Sequence, residues 1–353
     1  MASTTHIIGN LSSWLHPIQP NNSRRCFFKP CTFPIFKLKA TNFAGTVRAF
    51  STAFIDTKPA DEIVVEKGVS TNKNVLACPI CYEPLTLIGD SSLSIDSTST
   101  SKLQCKTCKK TYIGNKTHVD LRAASGLKEY ADPMPPATEL FRLPLVSFLY
   151  ERGWRQNFAL GGFPGKEKEF ELAKGYLKPV LGGNIIDASC GSGLFSRLFA
   201  KSGLFSMVVA LDYSENMLQQ CYEFVEKEEN FPKEKLTLVR ADISRLPFVS
   251  SSIDAVHAGA AIHCWPSPSS AVAEISRVLR PGGVLVATTF ILDGPFTFIP
   301  FFGIISQKLT QISGNRFFQS EREFEELCGA CGLVGFQCIR NQRFVMFSAR
   351  KPS

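Results

Sequence analysis

From residue 184 onward, short apolar runs alternate with stretches whose hydrophobic positions recur every three to four residues. The runs at 184–188, 207–211, 236–240, 253–257 and 284–290 are rich in Ile, Val, Leu and Ala, and they read as buried strands. Between them, 194–201, 215–228 and 269–279 carry helical periodicity. Upstream, 138–154 reads as a helix interrupted at Pro144, and 167–177 as an amphipathic helix with Phe170, Ala173 and Leu177 on one side. A last helix is expected over 324–331, then two strands near 334–340 and 344–349 that are close enough to pair antiparallel. Strands alternating with helices build right-handed βαβ units. The expected fold is therefore α/β, a mostly parallel Rossmann-like sheet covered on both faces.

The pattern before this region differs. Residues 50–74 lack periodicity and read as a linker, and 75–122 carry two Cys-x-x-Cys pairs, Cys78/Cys81 and Cys105/Cys108. Between the pairs, 91–101 has the Ser/Thr-rich composition of a surface loop. Pro133, Pro135 and Pro136 then stop any helix and set this unit apart from a domain over 138–353. With 23 residues between them, the two pairs suit tetrahedral Zn2+, each chelating from a tight knuckle, so that the site is closed and structural. Without metal so small a unit has little core to fold around. A redox dithiol is the alternative, and His118 lies too far past Cys108 to be counted as a ligand.

Composition first points elsewhere. The 353 residues are 44% hydrophobic and 20% charged, which is globular, and the net charge of +8 suggests nucleic acid or an anionic membrane as partner. Its placement removes that suggestion. No Asp or Glu precedes Asp56, while Arg24, Arg25, Lys29, Lys37, Lys39 and Arg48 lie among Ser, Thr, Asn and Pro. Such a segment reads as an organelle transit peptide over 1–49, of plastid type, and without its six basic residues +8 falls to +2. No run approaches the roughly 18–20 apolar residues of a membrane span. The expected location is the chloroplast stroma, with the plastoglobule or thylakoid as a lipid surface.

The run Ile185-Ile186-Asp187-Ala188-Ser189-Cys190-Gly191-Ser192-Gly193 passes from a buried strand into a helix. Small residues there let the backbone turn sharply and approach a ligand. Asp212 ends the next strand, where a carboxylate can accept two ribose hydroxyl bonds. Both a nicotinamide dinucleotide and S-adenosylmethionine fit this arrangement. The dinucleotide fingerprint wants a third small residue, and Gly191, Gly193 and Ser196 meet it imperfectly.

With Leu211-Asp212-Tyr213-Ser214, Arg240-Ala241-Asp242-Ile243, Leu246-Pro247-Phe248, Ile253-Asp254-Ala255-Val256 and the run Arg277 to Gly283 in order, residues 184–352 resemble the class I S-adenosylmethionine-dependent methyltransferases. The resemblance is nearest to the subgroup of ubiquinone and menaquinone C-methyltransferases and their plastid relatives. It implies a seven-stranded sheet whose last strand is antiparallel. It further implies that Asp187, Ser189, Cys190, Gly191 and Gly193 hold the methionine moiety and Asp212 the ribose. Tyr213 would stack near the adenine, and Asp242 with Ile243 would read its edge. Ser189 stands where the family usually has glycine.

Methyl transfer from a sulfonium needs in-line positioning more than a nucleophilic side chain. Carbon methylation is helped by a general base, and His257 and His263 follow the fourth strand, while Asp254 is read as support for the strand end. The Asn/Asp-Pro-Pro-Tyr/Phe tetrad of amine and amide methylation is absent after that strand, and Cys264 has no Pro-Cys pair for a covalent pyrimidine mechanism. Phe296, Phe298, Phe301, Phe302, Phe317 and Phe318 suggest a greasy cover over an apolar acceptor, with 140–150 as the opposing wall. A ribbon before such a domain also resembles the bacterial ribosomal-RNA guanine-N1 methyltransferases, and Lys106, Lys109, Lys110 and Lys116 are available to phosphates. Three functions follow: methylation of a small hydrophobic prenylquinone or lipid-like acceptor, which the +2 charge favours; methylation of plastid RNA; and a non-catalytic binding protein.

Overall fold

The computed structural model describes residues 75–88, 94–125, 139, 142–292 and 318–353. The expected transit peptide, the linker, the proline break and the aromatic stretch at 296–317 lie outside the described residues.

The central layer is a sheet whose order, in chain numbering of the strands below, is β10-β11-β9-β8-β5-β6-β7-β4. Its middle is β5 (Asn184–Ala188), every residue of which is buried, flanked by β6 (Met207–Asp212) and β8 (Ile253–Ala258) in parallel. A strand buried on both faces lacks a polar alternate face, so these runs show no alternation, and their few polar residues, such as Asp187 and Asp254, are paired. β7 (Leu236–Arg240) and β9 (Leu279–Phe290) extend the parallel part, while β11 (Phe344–Arg350) runs antiparallel between β9 and β10 (Val334–Asn341). The order reverses between β5 and its two neighbours, so the carboxyl ends of β5, β6 and β8 open a crevice there.

The helices are α1 (Pro144–Arg152), α2 (Lys166–Leu177), α3 (Leu194–Ser202), α4 (Glu215–Glu226), α5 (Pro268–Val278) and α6 (Glu321–Ala330). α3 buries Phe195, Ser196, Phe199 and Ala200 on the sheet, and α4 buries Met217, Leu218, Cys221 and Val225, each set at helical spacing. The expected interruption falls at Pro144: residue 139 is helical, 142 and 143 form a turn and a bend, and Pro144 then opens α1 at its first position, where its missing N–H is no loss. Asp254 accepts from the Asn184 amide at 2.7 Å and faces Arg280, tying the start of β5 to β8 and β9 as expected.

The amino-terminal unit makes a three-stranded antiparallel sheet of β1 (Leu85–Ile88), β2 (Lys102–Cys105) and β3 (Thr111–Ile113). Two expectations change here. The Ser/Thr-rich stretch is no surface loop in its described part: Ile95, Thr98 and Ser101 are at most 3% exposed. The hydroxyls make that burial tolerable, with Thr98 Oγ1 donating to the Ser94 carbonyl at 2.5 Å and Ser101 Oγ to that of Ser97 at 2.7 Å. Second, β4 (Val119–Asp120) leaves the small sheet and pairs in parallel with β7, so the large sheet has eight strands rather than seven. Glu62–Ser353 accordingly forms one compact unit.

Candidate active site

The turn after β5 holds three residues in the left-handed region, Ser189 (φ 55°), Gly191 (φ 56°) and Gly193 (φ 79°). A Cβ on Gly193 would lie 2.1 Å from the Cys221 Sγ, so glycine lets the loop press against α4. Ser189 needs a different account. Its backbone carries the cost of a Cβ in this region, about 1–2 kcal/mol, and its hydroxyl accepts a 2.9 Å hydrogen bond from the Trp265 indole N–H. Trp265 is 4% exposed, so its donor would otherwise be buried without a partner, a loss of about 1–3 kcal/mol. The expected stability order is therefore wild type above Ser189→Gly above Ser189→Ala. Alanine keeps the backbone cost and loses the bond, while glycine relieves the first. Urea unfolding of the three proteins checks it, and an alanine variant as stable as glycine would contradict it.

Asp212 closes the loop from the other side. Its Oδ2 accepts from the Gly191 amide and its Oδ1 from the Ser214 amide, both at 2.8 Å. Burial nevertheless pushes its carboxyl up to about 6. Beside it is a cavity of about 300 Å³ whose walls come from the carboxyl ends of the strands. On the β6–β7 side they are Asp212, Tyr213, Ser214, Met217, Asp242 and Ile243, and on the β8–β9 side Ala260, His263, Cys264, Trp265 and Phe290, with Tyr150 and Phe158 from the helical segment before β5.

Of the expected donor residues, Ser189, Gly191, Asp212, Tyr213, Asp242 and Ile243 line this cavity, whereas Asp187, Cys190 and Gly193 are not among its walls. Asp187 instead holds the loop from beneath: its Oδ1 pairs with His257 Nδ1 at 2.8 Å and its Oδ2 accepts from Ser196 Oγ at 2.5 Å. His257 is 1% exposed, packed against the rings of Phe195 and Phe199, and stands outside the cavity. His263 does line it. Its Nδ1 lies 3.1 Å from Thr289 Oγ1, and burial lowers its pKa to about 4, so the imidazole is neutral at physiological pH. Cys264 also faces the cavity, with its thiol pushed up to about 12 by burial, which keeps it protonated and unfit as a nucleophile. Tyr150 falls in the 140–150 stretch expected as the opposing wall, whereas Phe158 and Trp265 are wall residues that no motif announced, because their role depends on separate segments converging.

In the amino-terminal unit the Sγ atoms of Cys78, Cys81, Cys105 and Cys108 all lie within 4.8 Å of one another. Four Zn–S bonds of about 2.3 Å in a tetrahedron need sulfurs about 3.8 Å apart. Cys78 and Cys108 stand at 3.6 Å and Cys81 and Cys105 at 3.3 Å, so the donor set fits such an ion. His118 is engaged elsewhere, with Thr117 Oγ1 at 2.8 Å and Asn115 Nδ2 at 3.3 Å.

Comparison with known proteins agrees with this geometry. A family described as methyltransferase domain matches residues 186–287. An uncharacterized chloroplastic methyltransferase of Arabidopsis thaliana is 67% identical over 296 residues, 83% of each chain. A second from the same plant is 44% identical over 356 residues, 100% of this chain and 99% of its own. The demethylmenaquinone methyltransferase of Staphylococcus aureus (strain MRSA252) is 28% identical over 184 residues, 52% of this chain and 68% of its own. Identity of this extent, on a sheet with this strand order and this glycine turn, gives the chain its place: it belongs to the class I S-adenosylmethionine-dependent methyltransferases.

Proposed function

We propose that the enzyme methylates a small hydrophobic acceptor of prenylquinone or lipid type in the chloroplast. The observation that carries this reading is the β8–β9 side of the cavity, where Trp265 and Phe290 accompany a neutral His263 and no charged side chain lines the wall. The plastid names of the Arabidopsis relatives and the quinone substrate in the name of the bacterial one support it.

When bound, S-adenosylmethionine supplies an electrophilic methyl group on a sulfonium. The protein's part is to fix its position and keep water out. In the proposed pose the Asp212 carboxylate takes the ribose hydroxyls, Tyr213 lies along the adenine, Asp242 and Ile243 meet its edge, and the 189–193 turn receives the methionine end. The aromatic walls exclude water. His263, being uncharged, does not repel the sulfonium, and its neutral imidazole can accept a hydrogen bond from the acceptor. In the amino-terminal unit, Cys78, Cys81, Cys105 and Cys108 would hold a structural Zn2+.

The outer face of α1 suggests how such an acceptor arrives. Leu145 is 68% exposed and Leu160, in the 3-10 segment Trp154–Gly161 that follows α1, 85% exposed, with Phe148 and Leu149 also exposed. Positions 145, 148 and 149 share one helical face, while Tyr150 of the same helix lines the cavity. We read this face as the contact with a lipid surface. Burying each leucine is worth about 1.5–3 kcal/mol. Leu145→Asp with Leu160→Asp should therefore lower co-sedimentation with lipid vesicles at least about tenfold and leave donor affinity unchanged; equal sedimentation would refute this use of the face.

The acceptor class is tested by supplying labelled donor and purified enzyme to a plastid extract and partitioning the products. Label in the organic phase is expected. Label in RNA would overturn the reading in favour of nucleic acid, for which Lys106, Lys109 and Lys116 are exposed but Lys110 is engaged by the Ala123 carbonyl at 2.6 Å.

A further inference from the structure

The four-cysteine unit and the cavity share structural parts. The first knuckle, Cys78 to Cys81, presents its Pro79 and Ile80 carbonyls to Arg245, whose guanidinium donates to both, the second at 2.9 Å. Tyr82, one residue past the knuckle, lies under Arg245 at 5.2 Å and Arg277 at 4.1 Å from its ring centre. The chain before the knuckle pairs with the same loop: the Ala77 amide donates to Pro247 at 2.8 Å and the Val249 amide to Val75 at 2.9 Å. That loop begins at Asp242 and Ile243, in the cavity wall, and the Arg245 amide donates to the Asp242 carbonyl at 3.0 Å.

The second knuckle reaches the cavity by another route. After β3 the chain enters β4, the Leu121 amide donates to Arg240 at 2.9 Å, and Arg122 follows. Arg122 is fixed by both carboxylate oxygens of Asp120, at 3.1 and 2.9 Å, with its guanidinium 5.6 Å from the centre of the Tyr213 ring. Arg240 holds the Tyr213 carbonyl at 3.1 Å. The first knuckle thus bonds the loop that begins at 242–243, and the chain that leaves the second reaches 213–214 through Arg122 and Arg240, the two segments that wall the β6–β7 side.

We propose that the four-cysteine unit is a working part of the methyl-donor site, with Arg245 and Arg122 as positioning residues that transmit metal occupancy to donor affinity. This rests on the donor pose and metal reading above. A bound metal fixes residues 75–81 and 105–108. Residues 75–81 hold the 242–249 loop, the chain leaving 105–108 carries Arg122 on its Asp120 partner, and the donor meets a wall that is already ordered. Loss of metal frees the knuckles, and the donor must then order the wall at its own expense.

Coupling of this kind is reciprocal. Titration calorimetry with S-adenosylmethionine on the zinc-loaded full chain and on chelated protein should show donor affinity about tenfold weaker after chelation. Saturating donor should in turn raise the affinity for zinc by the same factor, read by competition with a chromogenic chelator, which needs no catalysis. Arg245→Gln should keep one zinc per chain yet weaken donor binding several-fold and reduce the reciprocal effect. Arg245→Lys, still able to donate to one carbonyl, should recover part of it. Donor affinity unchanged by chelation, or zinc affinity unchanged by donor, would overturn the proposal even if Arg245→Gln failed to fold. Absence of donor binding by the loaded wild type would overturn the donor pose and the coupling together, so the two failures are distinguishable.

Discussion

Replacing Asp212 with Asn is expected to weaken S-adenosylmethionine binding by at least about 100-fold while the protein stays folded. The carboxylate already accepts from the amides of Gly191 and Ser214, one on each oxygen, and each oxygen keeps a lone pair for a ribose hydroxyl. An asparagine turns one of those oxygens into a donor. That group would then face a backbone N–H and a hydroxyl with no lone pair to offer. Hydrogen bonds to a charged group are worth about 1.5–3 kcal/mol each, so losing one and setting a second against a donor brings the loss to two orders of magnitude or more. The same site sets a pH limit. Burial raises the Asp212 carboxyl to about 6, so below that pH binding must first remove a proton, and affinity should fall by up to about tenfold per pH unit. Calorimetry from pH 5 to 8 reads both effects. An Asn variant with wild-type affinity, or a flat profile, would place the donor elsewhere.

The second large effect concerns stability. Gly193→Ala should cost about 2–5 kcal/mol, from a left-handed backbone that disfavours a Cβ and from overlap with the buried Cys221 Sγ at 2.1 Å. Total stabilities of such domains are about 5–15 kcal/mol, so this is a large fraction. The two causes separate in a double mutant. Cys221→Ala removes the sulfur and leaves only a 3.1 Å Cβ contact, so combined with Gly193→Ala it should recover the packing part and leave about 1–2 kcal/mol of backbone cost. Denaturant unfolding measures the cycle. Additive costs would mean that the helix already yields at this contact.

Much of the cavity's lining was legible because local features mark it. The glycines of the 189–193 turn, Asp212 at the end of β6 and the Asp242-Ile243 pair after β7 are set by strand ends, and strand ends follow from apolar runs. Asp187 shows the limit of that logic. It follows the same pattern, but its carboxylate belongs to His257 and Ser196, because β5 and β8 are neighbours and His257 points from β8 toward it. His263 lines the cavity while His257 does not, a difference of six positions that spacing alone does not resolve. Trp265, which no sequence motif marks, bonds the one loop residue that departs from glycine.

Local chemistry along the chain therefore determined the order of strands and helices, the tight turn and the metal spacing, since periodicity, glycine and cysteine pairs act over a few residues. Tertiary structure decided which of these parts meet. It turned β4 into an eighth strand among the described residues, folded the Ser/Thr-rich stretch inward, brought Phe158 to the cavity wall, and placed the first cysteine knuckle on the loop that begins at Asp242 and Ile243. The physical reason is that such contacts join residues far apart in the sequence, 166 positions between Pro79 and Arg245, and depend on shape and polar groups coming together in the packed chain.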